Sequence, residues 1–282
     1  MKKPLFIAEL TINHLGMINI AKMMIKSAKN SGANFVKLKM KKVQNYYDES
    51  LPDWRNFEFK KYRQSLELSH DDFEELDAYC KQIGIPWFST IHDIESLEFI
   101  QKFDPQMYKV ASMDVDKIEL LDTVIDVCKK EDKPLVVSVG GRTMEQIKEL
   151  VKRINAADIY AYILHTVSIY PTPDGKSNIN FFRLLKKEFE SSEGKIKVGY
   201  SGHEEGYAPS VLAGTFGAAM IERHFTLSRD YQLHHMAAAL SPIEFQEMVT
   251  LLKDINLELN SPVHDMNEDE MHFLREMNYS QI

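Results

Sequence analysis

The sequence predicts an α/β protein built as a single (β/α)8 TIM barrel. Eight short runs of branched and aromatic residues punctuate the chain, and amphipathic helical patterns lie between them. The even spacing of eight such units fits a closed barrel better than a doubly wound sheet.

The first run, LFIAEL (5–10), is followed by NIAKMMIKSAKN (19–30), whose apolar residues recur every three or four positions. Gly32 closes that helix, because a left-handed cap is cheapest without a Cβ. The second strand is NFVKLK (34–39). Met40 to Leu68 is too long for an ordinary connection, and on the catalytic face of a barrel it is a candidate lid. Ser69 with Asp72 opens the next helix, DDFEELDAYCKQ (71–82), as a capping box, and Gly84 closes it before PWFST (86–90). MYKVAS (107–112) and PLVVSV (134–139) are the fourth and fifth strands. The helix MEQIKELVKRIN (144–155) precedes IYAYILH (159–165), and KVGYS (197–201) is the seventh strand. Gly217 then ends the helix before AAMIERHF (218–225). The expected barrel spans residues 1–255, with 256–282 as a short C-terminal tail.

Composition narrows the class. A chain of 282 residues with 44% hydrophobic content supports one large domain with a full core. The net charge of −8 argues against nucleic acid as a partner, since neutralising phosphates calls for a basic excess. Any anion site is therefore local. The two cysteines, Cys80 and Cys128, fall in amphipathic patterns, and the apolar stretch in MKKPLFIAEL is too short for a signal peptide. No run approaches the roughly 18 apolar residues of a membrane span. The expectation is a cytoplasmic protein with no membrane partner.

In a barrel of this kind the active site forms at the C-terminal ends of the strands. Here those ends are polar. The two-residue period of NFVKLKM sends Lys37 and Lys39 to the barrel interior and leaves Val36, Leu38 and Met40 facing the helices. Lys109 repeats the pattern in YKVAS, with Ser112 at the strand end. Buried ammonium groups need acids or a bound anion. Glu222 is available for internal pairing, on the face of His224. Two inward lysines on separate strands, with Ser112, Ser138, Ser168 and Ser201 near other strand ends, favour a phosphate or carboxylate site. His203 follows the seventh strand and His224 lies on the eighth, so both reach one mouth. Two imidazoles converging there can hold a divalent ion, and spacing alone leaves ordinary hydrogen-bonding histidines equally open.

The motifs AELTINHLG (8–16), VKLK (36–39), YKVAS (108–112), HTVSIYPTP (165–173), GYSGHE (199–204) and IERHFT (221–226) together resemble the N-acetylneuraminate (sialic acid) synthase family over residues from about 5 to 255. The resemblance implies condensation of phosphoenolpyruvate with an open-chain sugar, N-acetylmannosamine or a modified relative. The product is a sialic-acid-like 2-keto sugar acid, phosphate is released, and a divalent metal, typically manganese, assists. It makes His203 and His224 the metal ligands. It makes Lys37, Thr90, Lys109, Ser112, Ser138, Ser168 and Ser201 the cradle for phosphoenolpyruvate, with Lys109 also serving catalysis. Glu9 matches an acid contacting the sugar, Tyr170 a residue lining the acceptor site, and Asp114 an acid managing protons.

Four departures from the family accompany the match. Lys39 stands where glutamine is general, and Asp114 is a shortened glutamate. His235, in QLHHMAAAL (232–240), aligns with an aspartate, so it becomes an acceptor-site candidate, although His234 and His235 also read as a solvated loop pair. The family's C-terminal antifreeze-like domain is absent from this sequence. A pyruvate aldolase using a divalent metal and a non-catalytic sugar-phosphate sensor remain alternatives, and a homo-oligomer is compatible with each.

Overall fold

A computed structural model describes residues 3–43, 59–191, 193–230, 235–261 and 268–277. Eight parallel strands close into a barrel in sequence order. They are β1 (Leu5–Glu9), β2 (Phe35–Met40), β3 (Trp87–Ile91), β4 (Tyr108–Val110), β5 (Leu135–Ser138), β6 (Ala161–His165), β7 (Ile196–Gly202) and β8 (Met220–His224). Each coincides with one of the eight expected runs. The outer helices are α1 (Ile18–Asn30), α2 (Phe59–Ser65), α3 (His70–Ile83), α4 (Ile94–Gln101), α5 (Ile118–Glu131), α6 (Met144–Ala157), α7 (Ile179–Phe189), α8 (Ala208–Thr215), α9 (Pro242–Leu259) and α10 (Glu268–Glu276).

Local chemistry accounts for the helix ends. The Ser69–Asp72 capping box forms as expected, and Thr143 with Gln146 and Ser241 with Glu244 form two more. Gly32, Gly84 and Gly217 all have positive φ after their helices. Cys80 and Cys128 are buried free thiols on α3 and α5.

Two cores result from strand alternation. Outward residues such as Val36, Leu38, Val110 and Val137 pack against the helices. Inward residues Ile7, Phe35, Phe88, Met107, Val136, Leu164 and Met220 fill the lower barrel. Gly199 belongs to that lower layer: a Cβ there would meet Leu164 at 2.5 Å and the Met220 carbonyl at 2.7 Å. Counting two positions along each strand from these apolar residues gives Glu9, Lys37, Thr90, Lys109, Ser138, Thr166 and Glu222. The period that plugs the bottom of the barrel thus charges its top.

Two expectations need adjustment. The long connection after β2 contains α2, and its stretch 44–58 lies outside the described residues, as does the lid reading that depends on it. The last barrel helix continues past residue 255 to Leu259, because Phe245, Met248, Val249, Leu252 and Asn256 keep one face of α9 buried. No described residue of α10 is buried. Among the described residues no helix is long and apolar enough to cross a membrane.

Candidate active site

A cavity of about 440 Å³ opens at the C-terminal ends of the strands. Five cationic side chains line it, Lys37, Lys39, Lys41, Arg63 and Lys109, against two carboxylates, Glu9 and Glu222. In a chain of net charge −8, this is a local basic site.

Strand register builds its centre. Glu9 lies opposite Lys37 on one side and His224 on the other, and Ser201 lies opposite Glu222. Lys37 Nζ is 2.9 Å from Glu9 Oε2 and 2.9 Å from Glu222 Oε1. Lys109 Nζ donates to Glu222 Oε1 at 2.7 Å, and Lys39 Nζ sits 2.9 Å from Glu9 Oε1. Internal pairing of the lysines and placement around an anion-sized cavity therefore occur together. Burial alone would raise both carboxyls. Lys109 and Lys37 hold Glu222 below its usual range, and Lys37 and Lys39 hold Glu9 well below it. Burial pushes Lys109 down to about 8 against the pull of Glu222, while the two acids around Lys37 outweigh burial and raise it.

The hydroxyl side lies at β4, β5 and β6. Ser112, Ser138 and Ser168 line the cavity. The loops carrying them converge on Gly140, whose N–H donates to Ser112 Oγ at 2.9 Å. A Cβ on Gly140 would come within 2.4 Å of Ser168 Oγ and 3.0 Å of Ser112 Oγ. Thr90 Oγ1 is buried and has no hydrogen-bond partner among the described residues. Ser201 is already engaged, donating to Glu222 Oε1 at 3.0 Å.

The histidines meet as expected. The His203 and His224 ring centroids are 5.3 Å apart. His203 donates from Nδ1 to the Val167 carbonyl at 2.7 Å, which fixes its tautomer and leaves Nε2 as the lone-pair nitrogen. Both His224 nitrogens are buried without a hydrogen-bond partner among the described residues, and Nε2 is 3.8 Å from Glu9 Oε2. Burial drives His203 down to about 4 and His224 well below its ordinary value, so both are neutral, the state that ligates metals. One imidazole oriented through Nδ1, beside a second whose ring nitrogens have no hydrogen-bond partner among the described residues, fits a divalent ion held by few protein ligands. Among the described residues no third His, Cys, Asp or Glu completes a ligand group. Tyr170 packs on His203 with centroids 4.0 Å apart, and burial raises its phenol. His235 lines the cavity and stacks on His224 at 5.2 Å, so the solvated-loop reading does not describe it; His234 lies outside the described residues.

Asp114 is placed differently from the expectation. It is buried behind the cavity wall, where its Oδ2 is 2.6 Å from His92 Nδ1 and its Oδ1 is 2.7 Å from Lys117 Nζ. Its nearest route to the cavity is His92, which does line it. Burial pushes His92 down to about 4, so a neutral ring donates from Nδ1 to Asp114. Among the cavity residues that sequence reasoning missed are His92, Lys41 and Arg63, with Tyr62 and Thr166 beside them. His92 stands two positions past Thr90, and Lys41 two past Lys39, so the alternation was a usable signal for both. Arg63 comes from α2 and had none.

Outside the barrel wall, Arg223 joins the loops that carry the histidines. Its guanidinium donates to Glu204 Oε1 at 2.9 Å and to the Gly206, Glu204 and Ala238 carbonyls. Tyr200 and Ser210 hydroxyls complete the hydrogen bonding of Glu204.

The chain has clear likenesses among known proteins. A family model described as NeuB family matches residues 24–264. An uncharacterized protein of Methanocaldococcus jannaschii is 35% identical over 92% of this chain and 73% of its own. N-acetylneuraminate-9-phosphate synthase of Mus musculus is 30% identical over 96% of this chain and 75% of its own. N,N'-diacetyllegionaminic acid synthase of Campylobacter jejuni is 29% identical, covering 96% and 81%. The crystal structure of N-acetylneuraminic acid synthetase from Leptospira borgpetersenii in complex with citrate superposes with a TM-score of 0.81 at 25% identity, covering 98% of this chain and 92% of that one.

Proposed function

Because the chain belongs to the NeuB family, we propose that it condenses phosphoenolpyruvate with an open-chain aldose to give a sialic-acid-like 2-keto sugar acid and phosphate. The observation that carries this reading is one cavity lined by Lys37 and Lys109, the Ser112, Ser138 and Ser168 hydroxyls, Glu9 and His203, with the His224 ring packed against His203 just behind it. The cations and hydroxyls suit the phosphate and carboxylate of phosphoenolpyruvate. A pyruvate aldolase has no phosphate for the Ser112, Ser138 and Ser168 hydroxyls to receive.

His203 and His224 would hold a divalent ion, manganese by the family resemblance, which supplies polarisation of the aldehyde oxygen when bound. The protein does the rest. Glu9 and Tyr170 orient the aldose, and the Ser112–Gly140–Ser168 surface fixes the phosphoryl group so that C3 faces the aldehyde carbon. A C–C bond forms between them and the aldehyde oxygen takes a proton. Water adds at C2, and the bond from C2 to the phosphate oxygen then breaks, leaving the ketone. One proton of that water passes through Glu9 or His92 to the aldehyde oxygen, with Asp114 holding the His92 ring from behind, and the other leaves on the departing phosphate. Phosphoenolpyruvate is an intracellular metabolite, which supports a cytoplasmic location.

The test is phosphate release from phosphoenolpyruvate with a panel of aldoses, with and without manganese. Release that depends on both aldose and metal is the expected result. Loss of phosphoenolpyruvate without phosphate release, or no turnover with any aldose, would overturn the reading.

A further inference from the structure

The motif AELTINHLG (8–16) contributes Glu9 to the site, and the rest of it forms the turn that follows β1. Thr11 in that turn has a φ of 45°. Among the described residues six other than glycine have positive φ, and four of them are aspartate or asparagine, which enter the left-handed region readily. Of the other two, Leu15 lies outside the cavity lining, whereas Thr11 is 2% exposed and lines the cavity. A β-branched residue at positive φ is strained, and such strain persists only where the surrounding structure over-determines it. Here it does. Leu10 N–H donates to the Lys37 carbonyl and Asn13 Nδ2 to the Phe225 carbonyl, each at 2.9 Å, so the turn is clamped to the strands on both sides of β1. The buried His14 ring accepts from Gly16 N–H at 3.1 Å and also hydrogen-bonds the Thr11 backbone.

We propose that Thr11 is a specificity-determining residue for the acceptor sugar, its β-branched side chain limiting the size of the substituent on C2 of the aldose, the carbon next to the aldehyde. This rests on the synthase reading above and deepens it. Position selects the sugar over phosphoenolpyruvate. β1 stands directly across the closed eight-stranded ring from β5, which carries Ser138, while Ser112 and Ser168 follow the strands flanking β5. Thr11 is two residues beyond Glu9, the acid assigned to the aldose. Its turn is tied at Phe225 to the residue after His224, on the side where the aldehyde oxygen is placed. The group beside the aldehyde is therefore the one that meets Thr11. Glycine would occupy this φ without strain. Threonine is the less stable choice for the fold, and the side chain it adds forms part of the cavity wall.

The test uses the full chain with manganese and a series of mannosamines whose N-acyl group lengthens from acetyl to pentanoyl. In the wild type kcat/KM, at saturating phosphoenolpyruvate, is expected to fall by about tenfold or more along the series. T11G is expected to flatten that fall severalfold and to raise Tm by about 2 °C, because glycine accepts the φ of the turn. T11V keeps the branched shape without the hydroxyl and is expected to keep the fall. The same sugars reduced to alditols have no aldehyde and cannot react. Their dissociation constants, measured by calorimetry, read the subsite even if no aldose turns over, a result that would remove only the synthase reading. An equal fall along the series in wild type and T11G, in turnover or in alditol binding, overturns the proposal. So does an effect of T11G confined to the KM for phosphoenolpyruvate. A T11G Tm below that of the wild type would overturn the strain on which the proposal is built, and a fall lost in T11V would overturn selection by bulk in favour of the hydroxyl.

Discussion

Replacing Lys37 by Met tests the charge network at its centre. Lys37 is buried and bridges Glu9 and Glu222 at 2.9 Å each, so K37M leaves two buried carboxylates each short of one partner. Removing one member of a buried pair costs about 3–5 kcal/mol when the other charge is left alone. Here Lys39 remains on Glu9, and Lys109 with Ser201 remains on Glu222, which places the loss near the lower end, about 3 kcal/mol. In a chain of this size that corresponds to a fall in Tm of about 6–12 °C. The pH dependence has a definite sign. In the wild type both acids are held below their ordinary values, so their contribution to stability is present above the unfolded carboxylate range and is lost as pH falls through the folded values. In K37M burial is less opposed and the carboxyls take up protons at higher pH. The gap between variant and wild type is therefore widest near pH 7 and narrows towards pH 4. Thermal melts across that range, with the KM for phosphoenolpyruvate measured alongside, check both parts. A Tm within 2 °C of wild type at pH 7, or a gap that widens in acid, would refute the pairing argument.

The remaining predictions follow from separate parts of the site. H203A and H224A are each expected to abolish manganese-dependent turnover and weaken manganese binding while circular dichroism stays native, because both residues sit at strand ends above the packed layer; full activity in metal-free buffer refutes the ligand assignment. G140A puts a methyl group 2.4 Å from Ser168 Oγ and 3.0 Å from Ser112 Oγ, so the KM for phosphoenolpyruvate should rise tenfold or more with the sugar KM little changed. R223M removes one half of a buried pair with Glu204 and the ties to Gly206 and Ala238, and urea unfolding should show a loss of about 3–5 kcal/mol. A stable R223M would mean that these loops are held by other contacts.

Sequence pattern and structure agree where alternation or capping is the controlling physics. The inward direction of Lys37 and Lys109, the burial of Val36 and Leu38, and the Ser69–Asp72 box all follow from local rules. His203 and His224 were placed at one mouth by strand number alone. Local rules do not reach Arg63, because α2 contributes it across the chain from the strands it serves. Nor do they reach Asp114, which only the family resemblance named: the chain enters a 3-10 turn there, Ser112–Asp114, and the carboxylate packs on His92. A two-residue period holds only while the backbone is extended, so side chains just past a strand end are the ones sequence reading locates least well.

The same distinction explains why the strand-borne part of the site was more legible than the loop-borne part. Glu9, Lys37, Lys109, Ser138 and Ser201 stand on strands, where register fixes them against one another. Tyr170, His235, Lys41 and Arg63 come from connections after β6, β8 and β2. A barrel keeps its strand ends and varies its loops, so chemistry common to many acceptors can reside on the strands while acceptor choice resides on the connections. Lys39 is where the two meet. It is the second charged residue of β2, paired to Glu9 from the strand and crowded against Lys41 from the loop. A glutamine at that position would keep a hydrogen-bond donor for Glu9 and give up the charge. The lysine adds one more positive charge to the side of the mouth where Lys41 and Arg63 already concentrate it.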